Sequence, residues 1–142
     1  MQLWDTIGQE KYKNLTKIFF KDSKIVILVY DKSVKQSFQK LDFWRDEVKK
    51  SLGDDIILAV VGNKEDKDET FEDVNEEEAR EFAKNLNAKF KLTSAKVNPK
   101  GFENFLKELL IDYINKNGGN IGNNNDKFIL DNKKKKNSKS KC

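Results

Sequence analysis

Two short polar motifs follow apolar runs of this chain, and their side chains have the chemistry to recognise a flat heterocycle. Asn63-Lys64-Glu65-Asp66 comes one residue after the β-branched run 56–61. A carboxylate such as Asp66 can accept two parallel hydrogen bonds from the ring N–H and exocyclic amine of guanine, which adenine does not present on one edge. The Asn63 amide can pair with the base, and the Lys64 stem can cover the ring face. Taken alone, the motif also fits a solvated surface turn.

The second motif, Thr93-Ser94-Ala95-Lys96, follows the shorter alternating run 89–92. Ala95 is small, so its backbone N–H can approach a carbonyl oxygen on a base. An ordinary turn from a strand into a helix is the alternative for this motif alone. Open α/β sheets bind ligands outside the carboxyl ends of their strands. Two polar motifs after successive strands, in this order, therefore favour a nucleotide site over two unrelated turns.

A third motif, Asp5-Thr6-Ile7-Gly8-Gln9, ends the apolar, strand-like run at the beginning of the sequence. An acid, a glycine N–H and a glutamine amide at this spacing make chemical sense beside a nucleotide phosphate. The alternative for Asp5 is the N-cap of a helix over 10–20, since aspartate is a preferred capping residue.

The elements that must position these motifs alternate between apolar runs and segments of helical period, which predicts a parallel sheet covered by helices. The runs 25–30 and 56–61 are rich in β-branched residues and predict strands buried on both faces. A helix is predicted between them. Its apolar stripe comprises Phe38, Leu41, Trp44, Val48 and Leu52.

Two further helices and a short strand are predicted in the second half. Asn75 is expected to cap a helix, with Glu78 reaching back in a capping box. The buried face of that helix is predicted as Ala79, Phe82, Ala83 and Leu86. Residues 89–92 predict an edge strand, and Pro99 and Gly101 predict a break before the last helix. That helix presents Phe102, Phe105, Leu106, Leu109, Leu110 and Tyr113 on one face.

Charge is distributed unevenly along the chain. Residues 1–115 carry 20 basic and 22 acidic side chains, a net charge of −2, whereas residues 116–142 carry 8 lysines and 2 aspartates, a net charge of +6. The segment 116–142 has no hydrophobic periodicity and predicts a disordered tail that is rich first in Asn and Gly and then in Lys. Cys142 is the single cysteine, which excludes an internal disulfide and fits a reducing, cytoplasmic compartment.

Taken together, the three motifs resemble the third, fourth and fifth guanine-nucleotide motifs of Ras-superfamily small GTPases. Trp4-Asp5-Thr6 before Gly8-Gln9-Glu10, with Tyr12 soon after, is most similar to the Rab branch. The stretches 20–23 and 27–31 also resemble endosomal Rabs. The resemblance covers residues 1–115 and implies a P-loop NTPase-type G domain, an α/β fold with a mostly parallel sheet.

The resemblance also implies roles for individual residues. On the phosphate side, Asp5 would hold Mg²⁺ through water, Gly8 would donate its N–H to the γ-phosphate, and Gln9 would orient the attacking water. The implied guanine-binding residues are Asn63, Lys64, Asp66, Ser94, Ala95 and Lys96. GTP or GDP and Mg²⁺ are the cofactors expected for the complete protein.

The chain departs from the family pattern in several places. Ile7 stands where the family usually has Ala, and Lys67 stands where an apolar residue is usual. The sequence contains neither the phosphate-loop motif G-x-x-x-x-G-K-[ST] nor a switch I threonine segment. We therefore expect an incomplete G domain, truncated before the third motif and lacking the first two strands. As given, it is expected not to hydrolyse GTP and to bind it weakly. The alternative is a non-hydrolysing interaction module or scaffold.

The resemblance and the tail together imply partners and a location. Rab-like proteins work with an exchange factor, a GTPase-activating protein, a GDP-dissociation inhibitor and effectors in vesicle trafficking. Cys142 resembles a prenylation site, although it lacks the usual paired cysteines and a C-a-a-X ending. With the lysines of the tail it predicts peripheral attachment to the cytosolic face of endomembranes. The alternatives are a solvated tail, nonspecific RNA binding or a nuclear address; no specific nucleic acid is expected.

Overall fold

The computed structural model describes residues 20, 22–53, 55–67 and 73–118. Within these ranges the chain forms three strands and four helices. In chain order they are β1 (Ile25–Asp31), α1 (Lys35–Gln39), α2 (Leu41–Leu52), β2 (Ile57–Asn63), α3 (Glu76–Asn85), β3 (Lys89–Leu92) and α4 (Pro99–Lys116).

The three strands pair in the order β1-β2-β3, and both pairings are parallel. The register of β1 with β2 runs from Ile25 beside Ile57 to Asp31 beside Asn63, and Gly62 lies beside Leu92 of β3. The strands therefore end at nearly the same level, and the segments that follow them emerge at one edge. This confirms the α/β fold with a parallel sheet for the described part of the chain.

Helices cover both faces of the sheet. Alternate residues of each strand point to opposite sides, so the apolar strands present side chains to be buried on both faces. Helices α1 to α3 pack on one face. The fully or largely buried residues of that layer include Leu28, Tyr30, Phe38, Leu41, Val48, Val60, Ala79 and Ala83. Helix α4 packs on the other face over Ala59, Val61, Phe105 and Leu109.

Strand β2 is buried on both faces, as predicted, but β1 is not, so for β1 the prediction was wrong. Val60 and Val61 are almost completely buried, but Val29 of β1 is 53% exposed on the face that α4 covers. Strand β2 also extends to Asn63, two residues beyond the predicted run, because the backbone N–H of Lys32 donates to the Asn63 carbonyl at 2.9 Å. The strand end thus carries the first polar residue of the guanine motif.

The helix predicted between these strands is divided at Lys40 into α1 and α2. Lys40 remains near helical geometry, with φ −68° and ψ −15°, and its N–H still bonds to the Gln36 carbonyl at 3.2 Å. Phe38 of α1 and Leu41 and Val48 of α2 are all buried in the same hydrophobic cluster. The predicted apolar stripe is therefore retained across both helices.

Helix α3 begins where Asn75 predicts it. The Asn75 Oδ1 accepts hydrogen bonds from the N–H groups of Glu77 at 2.8 Å and Glu78 at 3.3 Å. The Glu78 carboxylate lies 3.7 Å from Lys35 Nζ of α1, so it ties two helices together rather than closing the predicted capping box. Of the predicted buried face, Ala79 and Ala83 are fully buried, and Phe82 and Leu86 pack against them.

Strand β3 has the predicted bounds and lies at the edge of the described sheet, but the beginning of α4 differs from the prediction. Pro99 and Gly101 lie inside the first turn of the helix rather than before it. Proline is tolerated at the first helical position because its missing N–H would have no partner in the helix. Asn98 is the N-cap, and its Oδ1 accepts from the Gly101 N–H at 2.9 Å.

Several predictions fall outside the described residues. They concern the motif at 5–9, with Asp5, Gly8 and Gln9, and residues 119–142 of the predicted tail, whose first residue, Lys116, is the last residue of α4. Within the described ranges, none of the helices is both long and apolar enough to cross a lipid bilayer.

Candidate guanine site

The two guanine motifs meet at the edge where the strands end. Asn63 is the last residue of β2, and its side-chain Oδ1 accepts a hydrogen bond from the Ala95 N–H at 3.1 Å. The Thr93 N–H donates to the Gly62 carbonyl at 2.8 Å, and the Glu65 N–H donates to the Thr93 carbonyl at 3.1 Å. Parallel pairing of β2 and β3 thus continues into direct contact between the segments that follow them.

Asp66 and Ser94 form the second link between the motifs. The Ser94 hydroxyl donates a short hydrogen bond to Asp66 Oδ1 and accepts one from the Val97 N–H at 3.0 Å. The hydrogen bond from Ser94 lowers the pKa of the Asp66 carboxyl from its ordinary value. Asp66 is therefore a solvent-facing anion at neutral pH, and its position is fixed by a residue 28 positions away.

Lys64 adopts an unusual backbone conformation at the beginning of the turn. Its φ is +66°, in the left-handed region that non-glycine residues seldom adopt, and the turn closes through a hydrogen bond from the Lys67 N–H to the Lys64 carbonyl at 3.1 Å. The Lys64 ammonium lies 2.6 Å from Asp31 Oδ2 at the end of β1. The first residue after β2 is thereby tied to the neighbouring strand.

Lys96 and Ala95 occupy the turn between β3 and α4 and are exposed. The positive charge of Lys96 is among the smaller influences that lower the pKa of Asp66. Ala95 directs its N–H to Asn63, so in this structure its donor is engaged within the protein. All six residues expected at the guanine site therefore lie at the edge of the sheet where β2 and β3 end, in Asn63 of β2 and the segments that follow the two strands.

Three residues that the sequence did not single out for the site lie beside these loops, at the end of β1. They are Asp31, the last residue of β1, Ser33 in the turn that follows it, and Ser37 of α1. Asp31 lies beside Asn63 in the sheet register. An acid at the end of a buried strand, before a serine two residues later, is a visible signal of a local Asx-type turn. Its contact with Lys64, 33 positions away, has no local signal.

The donor and acceptor set at this edge fits the base end of a guanine nucleotide. The Asp66 carboxylate is ionised and exposed, which is the state that accepts hydrogen bonds from a ring N–H and an exocyclic amine. The Asn63 Oδ1 is engaged with Ala95, so the Asn63 side chain also holds the two motifs together. The edge thus combines an exposed hydrogen-bond acceptor with a polar contact that joins the two motifs.

The class of protein follows from the fold, this edge and a comparison with known families. The model of the Ras family matches residues 1–115, and the chain belongs to that family. Within the family the chain is Rab-like.

Similar proteins include the Ras-related protein Rab-21 of the mouse and of the human. Each is 43% identical to this chain over 112 residues, which is 79% of this chain and 48% or 47% of the relative, respectively. The Rab-21 of the sponge Geodia cydonium is 44% identical over 96 residues, covering 68% of this chain and 42% of that protein. The chain thus spans about half the length of the curated relatives it matches.

Proposed function

We propose that this chain provides the guanine-recognition half of a Rab-like GTP/GDP switch in intracellular vesicle trafficking. The observation that carries the proposal is the junction of the two motifs, through the Asn63–Ala95 and Ser94–Asp66 hydrogen bonds. These contacts give a base-reading carboxylate a fixed position at the carboxyl edge of a parallel sheet, where ligands of this fold class bind. Membership of the Ras family and the similarity to Rab-21 support it.

The proposal extends to the phosphate side and to the whole protein. Asp5 would hold Mg²⁺ through water, Gly8 would donate its N–H to the γ-phosphate and Gln9 would orient the hydrolytic water. The exchange of GDP for GTP and the hydrolysis of GTP would then switch the affinity for effectors. An exchange factor, a GTPase-activating protein and a GDP-dissociation inhibitor complete the cycle.

The tail supplies the proposed membrane contact. Cys142 carries a prenyl group, and the lysines of 127–141 add attraction to an anionic leaflet, so that the protein binds peripherally to the cytosolic face of endomembranes. Intact-mass spectrometry of the protein from its own cells tests this step. A mass increase equal to one prenyl group at Cys142 supports the anchor, and an unmodified Cys142 refutes it.

Base selectivity provides the sharpest test of nucleotide recognition. We expect the full chain to prefer GDP over ADP in equilibrium titrations with fluorescent nucleotides. Asp66→Asn replaces one carboxylate oxygen by an amide donor. The variant should therefore bind GDP more weakly and gain relative affinity for xanthosine diphosphate, whose base carries a carbonyl in place of the exocyclic amine.

A matched control keeps this test interpretable. Asp46→Asn makes the same chemical change on the exposed surface of α2, where the carboxylate pairs with Arg45. It should leave the GDP-to-xanthosine diphosphate ratio unchanged. If the wild-type chain binds GDP and ADP equally, or if Asp66→Asn leaves the ratio unaltered, guanine recognition by this edge is refuted.

A further inference from the structure

The carboxylate of Asp31 joins two separate segments at the end of β1. Its Oδ1 accepts hydrogen bonds from the Ser33 N–H at 3.0 Å and the Ser33 hydroxyl at 2.7 Å. Its Oδ2 lies 2.6 Å from the Lys64 ammonium. The side chain is only 17% exposed, so this is a largely enclosed anion whose two oxygens are both engaged.

Lys67 approaches the same carboxylate from the other end of the turn. Its ammonium donates to the Ser33 hydroxyl at 2.8 Å and lies 3.9 Å from Asp31 Oδ2. Lys64 and Lys67 are also joined through the turn's backbone hydrogen bond of 3.1 Å. We call the four residues Asp31, Ser33, Lys64 and Lys67 the Asp31 clasp. The clasp attaches both ends of the guanine-reading turn to the segment after β1.

The clasp determines where the Lys64 stem lies. Lys64 leaves the end of β2, whereas its ammonium is held at the end of β1, and adjacent strands are about 4.8 Å apart. The four-carbon stem must therefore span from one strand end to the next. Since the backbone of Lys64 is in the left-handed region, its neighbours must hold it there. An unpaired Lys64 head would leave the flexible stem free to sample other rotamers.

The turn has a second support on its other side. Asp66 is held by Ser94, which follows β3, and makes none of the contacts of the clasp. The β1 side therefore fixes Lys64, and the β3 side fixes Asp66. These two supports act on different parts of a bound base, because a lysine stem covers a ring face whereas a carboxylate reads a ring edge.

We propose that Asp31 is a positioning residue of the guanine site, which fixes the Lys64 ammonium and so sets the Lys64 stem for contact with the face of the base. Ser33 and Lys67 hold the Asp31 carboxylate in place. This inference rests on the proposed function, since it assigns a role within the same site. Partial burial favours a raised pKa for Asp31, but the hydrogen bonds from Lys64 and Ser33 outweigh it and hold that pKa below its ordinary value. The carboxylate is thus charged under the conditions of the test.

The test uses the full chain and two nucleotides that differ in one group. GDP and inosine diphosphate share the ring face, but inosine diphosphate lacks the exocyclic amine that Asp66 reads. Asp31→Asn should lower the affinity for both nucleotides by the same factor, about two- to fivefold, which is the range for loss of a partly exposed ion pair. Asp31→Glu, which restores the charge, should recover part of the loss. In a Lys64→Met background, Asp31→Asn should have no further effect, because its partner is gone.

The contrary outcomes are distinct. An unchanged affinity in Asp31→Asn refutes the positioning role. A changed ratio of GDP to inosine diphosphate, or a loss of the same size in the Lys64→Met background, assigns Asp31 to general folding of the loop and also refutes it. Asp46→Asn is the matched control for removal of a paired carboxylate.

Failure of the proposed function can be recognised separately. If the wild-type chain binds neither nucleotide, the guanine-binding proposal fails, and NMR of the Lys64 side-chain ammonium then decides the inference about Asp31. A Lys64 ammonium signal whose protons exchange slowly with water in the wild type, and which is lost in Asp31→Asn, supports the Asp31 clasp. A signal that is identical in both proteins refutes it.

Discussion

The hydroxyl of Tyr30 is buried and has no hydrogen-bond partner among the described residues. The residue is 2% exposed, and its ring packs edge-on against Phe38 with centroids 5.0 Å apart. Among the described residues, nothing accepts from or donates to Tyr30 Oη. The hydroxyl lies beneath β2 so closely that a Cβ added at Gly62 would come within 2.6 Å of it. Tyr30→Phe removes this one atom and keeps the ring.

The expected effect is a gain in stability. A buried polar group without a partner costs about 1 to 3 kcal/mol, and deleting it removes that cost while losing only the van der Waals contacts of one oxygen. We expect the free energy of unfolding to rise by about 1 kcal/mol in Tyr30→Phe, with a rise in Tm of about 4 to 8 °C for a domain of roughly 100 residues.

Urea unfolding at neutral pH, followed by circular dichroism, measures the difference. Tyr113→Phe is the matched control, since it deletes the same hydroxyl from a half-buried ring of α4, and it should change the free energy by less than about 0.5 kcal/mol. A loss of 1 kcal/mol or more in Tyr30→Phe, at an unchanged denaturant slope, would show that the hydroxyl makes a stabilising hydrogen bond and would refute the reasoning.

Alkaline pH gives the same prediction a second readout. Burial, followed by the charge of Glu76, raises the pKa of Tyr30 to about 12 from 10.0. Between these values the folded chain retains a proton that the unfolded chain has lost, so stability falls as pH rises, by about 1 kcal/mol per pH unit. Tyr30→Phe lacks this contribution, and its advantage over the wild type should grow from pH 10 to pH 12. A constant difference across this window would show that Tyr30 ionises normally.

Three other perturbations follow from the same structure. Gly62→Ala places a Cβ within 2.6 Å of both Leu92 Cδ2 and Tyr30 Oη. It should lower the free energy of unfolding in urea by about 1 to 3 kcal/mol, and by less in a Tyr30→Phe background, where the hydroxyl is absent. Additive effects of the two substitutions would contradict this coupling. Asn75→Ala removes the cap of α3 and should cost about 1 kcal/mol, whereas Asn75→Ser keeps an acceptor and should cost less; equal losses would argue against capping. The lowered pKa of Asp31 means that its contribution to stability is complete above its ordinary pKa of 3.8 and is lost as pH falls through the lower folded value. The stability difference between wild type and Asp31→Asn should therefore shrink on acidification below about pH 4, and a difference independent of pH would contradict the charged contact.

The elements themselves were largely predictable because their signals are local. Strand β3 occupies the predicted residues 89–92, and α3 begins after the predicted cap Asn75. Alternation and capping involve neighbours within four residues, so no knowledge of the fold is needed to detect them. The prediction was wrong where two local rules competed. Pro99 and Gly101 signal a break, but a proline in the first turn is compatible with a helix, and Asn98 begins α4 there.

The site divides in the same way. Residue types and their order along the chain were sufficient to select Asn63, Asp66 and Ala95 and to expect them at one sheet edge, since parallel strands bring their carboxyl ends together. The Ser94–Asp66 bond spans 28 positions and was not foreseen as a contact. It depends on which loop atoms meet once β2 and β3 have paired.

The sequence by itself determined the order of strands and helices, the chemistry of the guanine motifs and the resemblance to the Ras superfamily. Each of these depends on residues that are close together along the chain. Only the tertiary structure decided that Asp31 holds Lys64 and that the hydroxyl of Tyr30 lies against Gly62. Both contacts arise from the register of β1 with β2, which places Asp31 beside Asn63 and Tyr30 beside Gly62. Register is a property of the assembled sheet, and it sets which distant side chains share one position.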